Sequence, residues 1–430
     1  MVLKWVCPKP HGASSCLHTN TNPPAGKKTK NKGEIDVKKV ISIALALLMV
    51  AVMLPVMAMA ADDTALPTAD ANGVIKLTNN VTLPKMTEIK GNITLDLNGF
   101  TISGKGTVLD LYGTIEIKDS TEGGNGKIVS TDRTNTPPDS PNSNGIWIND
   151  NTSVTINSGT IKGNTWGVVV AGVNASFTMN GGTVINGITG NGSENAGVPK
   201  YAPTTITING GVVNGGELGI YHPQVGKLTI NNGEITGKSG IEMRAGTLNV
   251  TGGNVRSTAD RLDVKANGGG STTEGAALAI AQHTTKRPIT VNISGGNFNG
   301  PAALNEANPQ GNPEDATKNV GIVVNGGTFN GDVNKDDVDA SNLLINGGTF
   351  TKKESGAEKY LANGKELDSN GKVVNTSITI IVPGDGGNTT TTPSTDNTKN
   401  PGTGANDFVG VAAAMAVVSL LGAAAVIRKK

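Results

Sequence analysis

Short β-branched runs alternate apolar and polar residues through the middle of the chain, and most end on the same step. SVTINSGTIKG, SFTMNGGTVING, TITINGGVVNG, KLTINNGEITG, TLNVTGGNVRS and ITVNISGGNFNG follow one another, and the phrase returns in VVNGGTFNG and LLINGGTFT. Alternation with period two predicts strands with one buried face. The Asn position of the step falls at Asn157, Asn180, Asn209, Asn231, Thr251, Ser294, Asn325 and Asn346, giving spacings of 23, 29, 22, 20, 43, 31 and 21. A basic period of about 20 to 23 residues, with the 43 read as two periods, indicates a repeat architecture.

Each repeat also carries an earlier apolar phrase: GIWIND, WGVVVAG, LGIYHP or SGIEMRAG. Three short strands separated by turns make one coil of a parallel β-helix, with little room for helices. Ile156, Met179, Ile208, Ile230 and Val250 are expected to point inward and to stack as an aliphatic ladder. Asn and Gly suit the bends, because both accept a left-handed backbone at low cost. Stacked asparagines can also hydrogen-bond from coil to coil. The segments GNGSENAGVPKYAP and NEANPQGNPEDATKN read as surface loops on this spine.

Composition narrows the picture. Fifty-nine glycines and 3% aromatic residues suit a narrow core better than a wide globular one, and a net charge of +1 offers no footprint for nucleic acid. Two apolar stretches lie outside the repeats. VKKVISIALALLMVAVMLPVMAMA has the basic start, the apolar run and the Ala58-Met59-Ala60 site of a secretory signal, with Ala61 as the new N-terminus. We expect translation to begin at Val37 and residues 1–36 to be an extension, which N-terminal mass spectrometry of the unprocessed form would test. Cys7 and Cys16 fall in that extension, so the mature chain has neither disulfides nor thiolate metal sites. At the other end, Phe408 to Ile427 is long enough to span a bilayer, and Arg428-Lys429-Lys430 would hold that end in the cytoplasm.

Ahead of that span stands Asn400-Pro401-Gly402-Thr403-Gly404. A Pro-x-Thr-Gly motif, an apolar span and a basic tail together resemble a sortase sorting signal of Gram-positive bacteria, with Asn400 where Leu is usual. The resemblance implies cleavage between Thr403 and Gly404 and attachment of Thr403 to peptidoglycan. The alternative is an unprocessed membrane anchor. ITLDLNGFTISG and GTIEIKDSTEGGNGKIVS resemble the opening coils of surface β-helix proteins of the pectate-lyase-like superfamily, and EKYLANGKELDSNGKVV is similar to the segment that closes them. The expected fold is therefore all-β: a right-handed parallel β-helix over residues 61–374 with end caps. A signal helix (37–60) precedes it, and a Thr/Asn/Pro/Gly-rich linker (375–399) and the sorting signal with its transmembrane helix (400–430) follow.

The motifs say less about chemistry. Gly237-Lys238-Ser239 is not a phosphate loop, since Gly233 lies one residue too close and no helix follows. Asp332, Asn334 and Asp336 alternate as in a calcium loop, but Asp337 stands where an EF-hand needs Gly and Leu343 where it needs Glu. No cofactor is expected. The superfamily resemblance implies that any active residues sit on the outer face of one sheet. Reading the four earlier phrases in one register turns Ile146, Val168, Ile220 and Ile241 inward. Trp147, Val169, Tyr221 and Glu242 then face outward in one row, with Asn149, Ala171, Pro223 and Arg244 in the next. His222 is expected to face inward. Trp147, Asn149, Tyr221, Glu242 and Arg244 are the candidates for holding a sugar chain, and Glu242 and Arg244 for catalysis. Hydrolysis needs two carboxylates, and only Glu242 stands in this row. Three functions stay open: adhesion or glycan binding without catalysis, a polysaccharide lyase or hydrolase, and a structural spacer. All three place the protein outside the cell, and the first two take extracellular polysaccharide or host glycan as the partner.

Overall fold

The computed structural model describes residues 62–132, 143–190, 204–334 and 343–377. The signal segment, the extension before it, the linker beyond Thr376-Ser377, the sorting signal and Asp336 lie outside these residues. Twenty-eight of the strands join one sheet, and every pairing within it is parallel, the arrangement of a β-solenoid. A typical coil contributes Asn144–Ile148, Ser153–Ile156 and Thr160–Lys162; the next contributes Trp166–Val170, Ser176–Met179 and Thr183–Ile185. Along the central ladder strand pairs onto strand without slippage: Met179 sits on Ile156, Ile208 on Met179, Ile230 on Ile208 and Val250 on Ile230. All five side chains are buried, and they belong to one continuous core running from Ile75 to Val373.

The recurrent step divides its work between its residues. The left-handed backbone belongs to its last glycine, for example Gly348 with φ +107°, and not to the asparagine. At Gly347 the glycine before it also saves space, since a Cβ there would lie 2.3 Å from the carbonyl oxygen of Asn325 below, whereas Ser158 and Asn232 fill the same position in two other steps. Asparagine supplies the ladder. The side-chain amide of Asn180 donates to Asn157 (2.8 Å), Asn209 to Asn180 (2.9 Å), Asn231 to Asn209 (2.8 Å) and Asn346 to Asn325 (3.0 Å). The lower end of this ladder is Asn157 donating to the Glu116 carboxylate at 2.8 Å.

One expectation needs correction, and two features extend the reading. The 43-residue spacing is one lengthened coil, because Gly246–Val250 pairs directly with Ile289–Ile293. Its extra residues form an antiparallel hairpin, Asp263–Val264 against Thr273–Glu274, outside the main sheet. The coils also begin before ITLDLNGFTISG, with Val74–Lys76 pairing onto Thr94–Asp96. Finally, aromatic rings join the aliphatic core. Phe298, Phe329 and Phe350 stack inside the last coils at 4.9 and 4.8 Å between ring centroids. Beyond them the chain closes with a turn at Ala357–Tyr360 and the hairpin Lys365–Leu367/Val373–Asn375, so the segment read as a closing cap lies over the last coil.

Candidate functional site

The outer row predicted from the alternation exists, and it is longer than the four phrases suggested. In register it runs Glu88, Asp110, Trp147, Val169, Thr189, Tyr221, Glu242, Ala279, Asn305. Thr189 was missed because its strand, Ile188–Gly190, is three residues long and precedes an insertion. Glu88 and Asp110 were missed because the reading began two strands too late. The runs TEIKG and LDLYG show the same alternation, with Ile89, Leu109 and Leu111 buried between them.

The two ends of the row differ. At the first end a cavity of about 380 Å³ is lined by Met86, Lys105, Thr107, Asp110, Trp147 and Asn149. That volume lies within the range of small-ligand sites. Trp147 is half-buried and Met86 is 48% exposed, so the cavity has an apolar wall open to solvent. Asp110 forms its polar floor. Its carboxylate accepts from the Tyr112 hydroxyl at 3.0 Å and from the Asn149 amide, and this fixes Asn149 beside the indole. The Asp110 hydrogen bond raises Tyr112 above the ordinary phenol range. Beside it Glu88 pairs with Lys90 at 2.6 Å, which raises the lysine, and the Lys90 ammonium lies 4.9 Å from the Tyr112 ring centre. The turn carrying Lys105 is pinned by Asp132, which accepts from the Gly106 N–H and, at 2.7 Å, from the Ser143 hydroxyl. Trp147 and Asn149 therefore do meet in one place, with Asp110 as the partner that sequence reading had not named.

At the other end, Glu242 and Arg244 point outward from the sheet as expected, but solvent does not reach them. Both side chains are completely buried. The cover is the hairpin from the lengthened coil, whose tip, residues 265–272, folds back onto the row. Glu242 accepts from the Thr272 N–H (2.9 Å), the Thr272 hydroxyl (2.8 Å) and the Ser271 hydroxyl. Arg244 donates to the carbonyl oxygens of Gly270 and Asn267 (3.4 Å for the latter) and lies 3.7 Å from Glu242. Burial pushes the Glu242 carboxyl above the usual carboxylate range, while Ser271, Thr272 and Arg244 pull it back. His283 contacts the Gly268 carbonyl at 2.7 Å. Tyr221 is 6% exposed and stacks on Trp166, a ring absent from the predicted set, at 6.2 Å and 13°. In this structure, then, three of the five predicted sugar-binding residues are covered.

His222 faces the interior as predicted. Its Nδ1 donates to the Ala245 carbonyl at 3.1 Å, its Nε2 has no hydrogen-bond partner, and burial lowers its pKa to about 4. It is a neutral core residue at ordinary pH. The two calcium candidates among the described residues are engaged by protein groups. Asp332 pairs with Lys352 at 2.6 Å, and the Asn334 side chain accepts from the Glu306 N–H at 2.7 Å. Among the described residues no group of three or more His, Cys, Asp or Glu is placed to hold a metal ion. A second cleft, about 660 Å³, lies against the closing hairpin, between Lys352, Lys353, Glu358, Glu366 and Asp368. Comparison with family models, characterised proteins and solved structures returns no match to this chain.

Proposed function

We propose that the chain is a secreted surface protein, attached to peptidoglycan by sortase through Asn400–Gly404, whose right-handed β-helix binds glycan at the Trp147 cavity without catalysis. The observation that carries the binding is the half-buried Trp147 indole, with Asp110 and Asn149 fixed at its edge. A flat apolar face beside paired polar groups suits a sugar ring, which has an apolar face and a rim of hydroxyls. Asp110 retains lone pairs to accept from such hydroxyls after serving Tyr112 and Asn149. The test is a glycan array probed with the full chain and with Trp147→Ala. Signal lost in the variant supports the site, and no signal on any glycan removes it. Detection of Thr403 linked to wall peptide by mass spectrometry tests the anchor separately.

The enzyme reading has one observation in its favour. Glu88 stacks on Asp110 in adjacent coils, and neighbouring strands lie about 4.8 Å apart. Retaining glycosidases hold their two carboxyl groups about 5 Å apart. Against it, Glu88 is tied to Lys90, and Asp110 already accepts from Tyr112 and Asn149. Release of reducing or unsaturated ends from neutral or uronic polysaccharides would reverse this preference.

A further inference from the structure

We propose that the hairpin Asp263–Glu274 is a lid whose tip occupies a second saccharide site on the same row, and that a neutral, N-acetylated amino-sugar chain displaces it. This rests on the glycan-binding reading above and assigns a ligand class to the part of the row that is covered.

The argument starts from what the tip offers the sheet. To Glu242 it presents one amide N–H and two neighbouring hydroxyls, one on each carboxylate oxygen. To Arg244 it presents two amide carbonyl oxygens. An N-acetylated hexosamine carries the same inventory: an amide N–H, an amide carbonyl and adjacent hydroxyls. The charge balance argues for a neutral ligand. Glu242 and Arg244 compensate each other, whereas an anion or cation brought between them would leave one buried charge unpaired.

Two features suit a tip that can be exchanged. Arg244 Nε is buried without a hydrogen-bond partner, so the tip leaves one donor of the guanidinium unmet where a ligand oxygen would satisfy it. The attachments of the hairpin are also divided. Its base is held by Leu262 against Ala276, Ala279 and Ala302. At the tip, a Cβ added to Gly268 or Gly269 would meet nothing within 4 Å, and the contacts to Glu242, Arg244 and His283 are all polar. A polar ligand can replace the tip contacts while the apolar base stays anchored. A vicinal diol can set two hydroxyls on one carboxylate as Ser271 and Thr272 do, and a peptide of the tip's own sequence is the control that separates the two. Tyr221, whose hydroxyl lies 3.5 Å from Arg244, adds an aromatic wall to the same site.

A lid closed 99% of the time weakens apparent affinity about a hundredfold, so loosening it strengthens binding. The full chain and its S271A/T272V variant are titrated calorimetrically with tetra-N-acetylchitotetraose, with cellotetraose, which lacks the acetamido group, and with the peptide Asn-Gly-Gly-Gly-Ser-Thr. The variant is expected to bind the N-acetylated tetramer at least tenfold more tightly than the unaltered chain, and adding Glu242→Gln is expected to remove that gain. No gain, an equal gain for cellotetraose, or a gain for the peptide alone overturns the proposal. A readout that needs no substitution is hydrogen exchange at the Thr272 amide of the unaltered chain. The tetramer should accelerate it, and unchanged or slower exchange counts against the lid. Trp147→Ala reports the first cavity independently. Binding lost there with no lid effect leaves the earlier reading standing, and a lid effect without any Trp147 effect removes only the Trp147 site.

Discussion

Trp147 and Glu242 stand in one row of one sheet, four coils apart, on strands of the same length and the same inward pattern. Around Trp147 the row meets solvent in an open cavity; around Glu242 it meets the chain's own hairpin. The difference lies in one connection. Between Asn254–Ser257 and Ala276–Ala281 the chain spends an insertion, and that insertion returns over the row. A solenoid coil fixes where each side chain points but not what covers it. Access is decided by loops that carry no share of the periodic pattern.

The largest test of this contrast is removal of the buried cation. Arg244→Leu leaves the Glu242 carboxyl buried without its guanidinium, and breaking such a pair typically costs about 3–5 kcal/mol. Urea unfolding followed by circular dichroism should show that loss. The double variant E242Q/R244M should recover most of it, because replacing both charges removes the desolvation cost as well. Equal stability of the single and double variants would mean that the pair is not coupled.

That experiment also marks where sequence reading reached and where it stopped. The interior ladder, the outer row and the asparagine stack were all legible, because each follows from alternation repeated at a steady spacing. The cover was not. Counted as two periods, the 43-residue spacing hid an insertion, and KANGGGSTT has no large apolar side chain to announce that it packs on anything. Its hold on Arg244 comes from the carbonyl oxygens of Asn267 and Gly270, which every residue carries. Asp110 was legible in principle, since LDLYG alternates as clearly as GIWIND. Its pairing with Asn149 was not, because it joins residues 39 apart in adjacent coils.

Acid should weaken the covered coils through His222. The folded chain keeps this imidazole neutral down to about pH 4, whereas an unfolded histidine protonates near 6.5. The unfolded state therefore takes up more protons between those values, and stability falls as pH falls through that window, by up to about 3 kcal/mol. Glu242 acts in the opposite sense: its raised pKa favours the folded state as pH drops toward the ordinary carboxyl value. Urea midpoints measured from pH 7 to 4 on the unaltered chain, His222→Gln and Glu242→Gln separate the two. A His222→Gln profile as steep as the parent's would contradict the assignment.

The asparagine ladder runs past both regions and should be indifferent to the hairpin. Asn180 takes part in two side-chain amide bonds and Asn346 in one. At about 1 kcal/mol or less for an exposed pair, Asn180→Ala should cost roughly twice what Asn346→Ala costs. The ratio should be the same with S271A/T272V in the background, since sites with no shared partners add.

A small stability change belongs to the residue with the largest expected effect on binding. Trp147 is half-buried and packs on no hairpin, so Trp147→Ala should cost only about 1 kcal/mol, whereas Arg244→Leu costs several times that. Its effect on glycan affinity should be tenfold or more, because the indole supplies the apolar face of the cavity. The two variants thus make opposite pairs: Trp147→Ala folds and does not bind, while Arg244→Leu weakens folding yet keeps the first cavity intact. If Trp147→Ala instead destabilised the chain as strongly as Arg244→Leu, the indole would be a packing residue, and the open end of the row would be no more a binding face than the covered end.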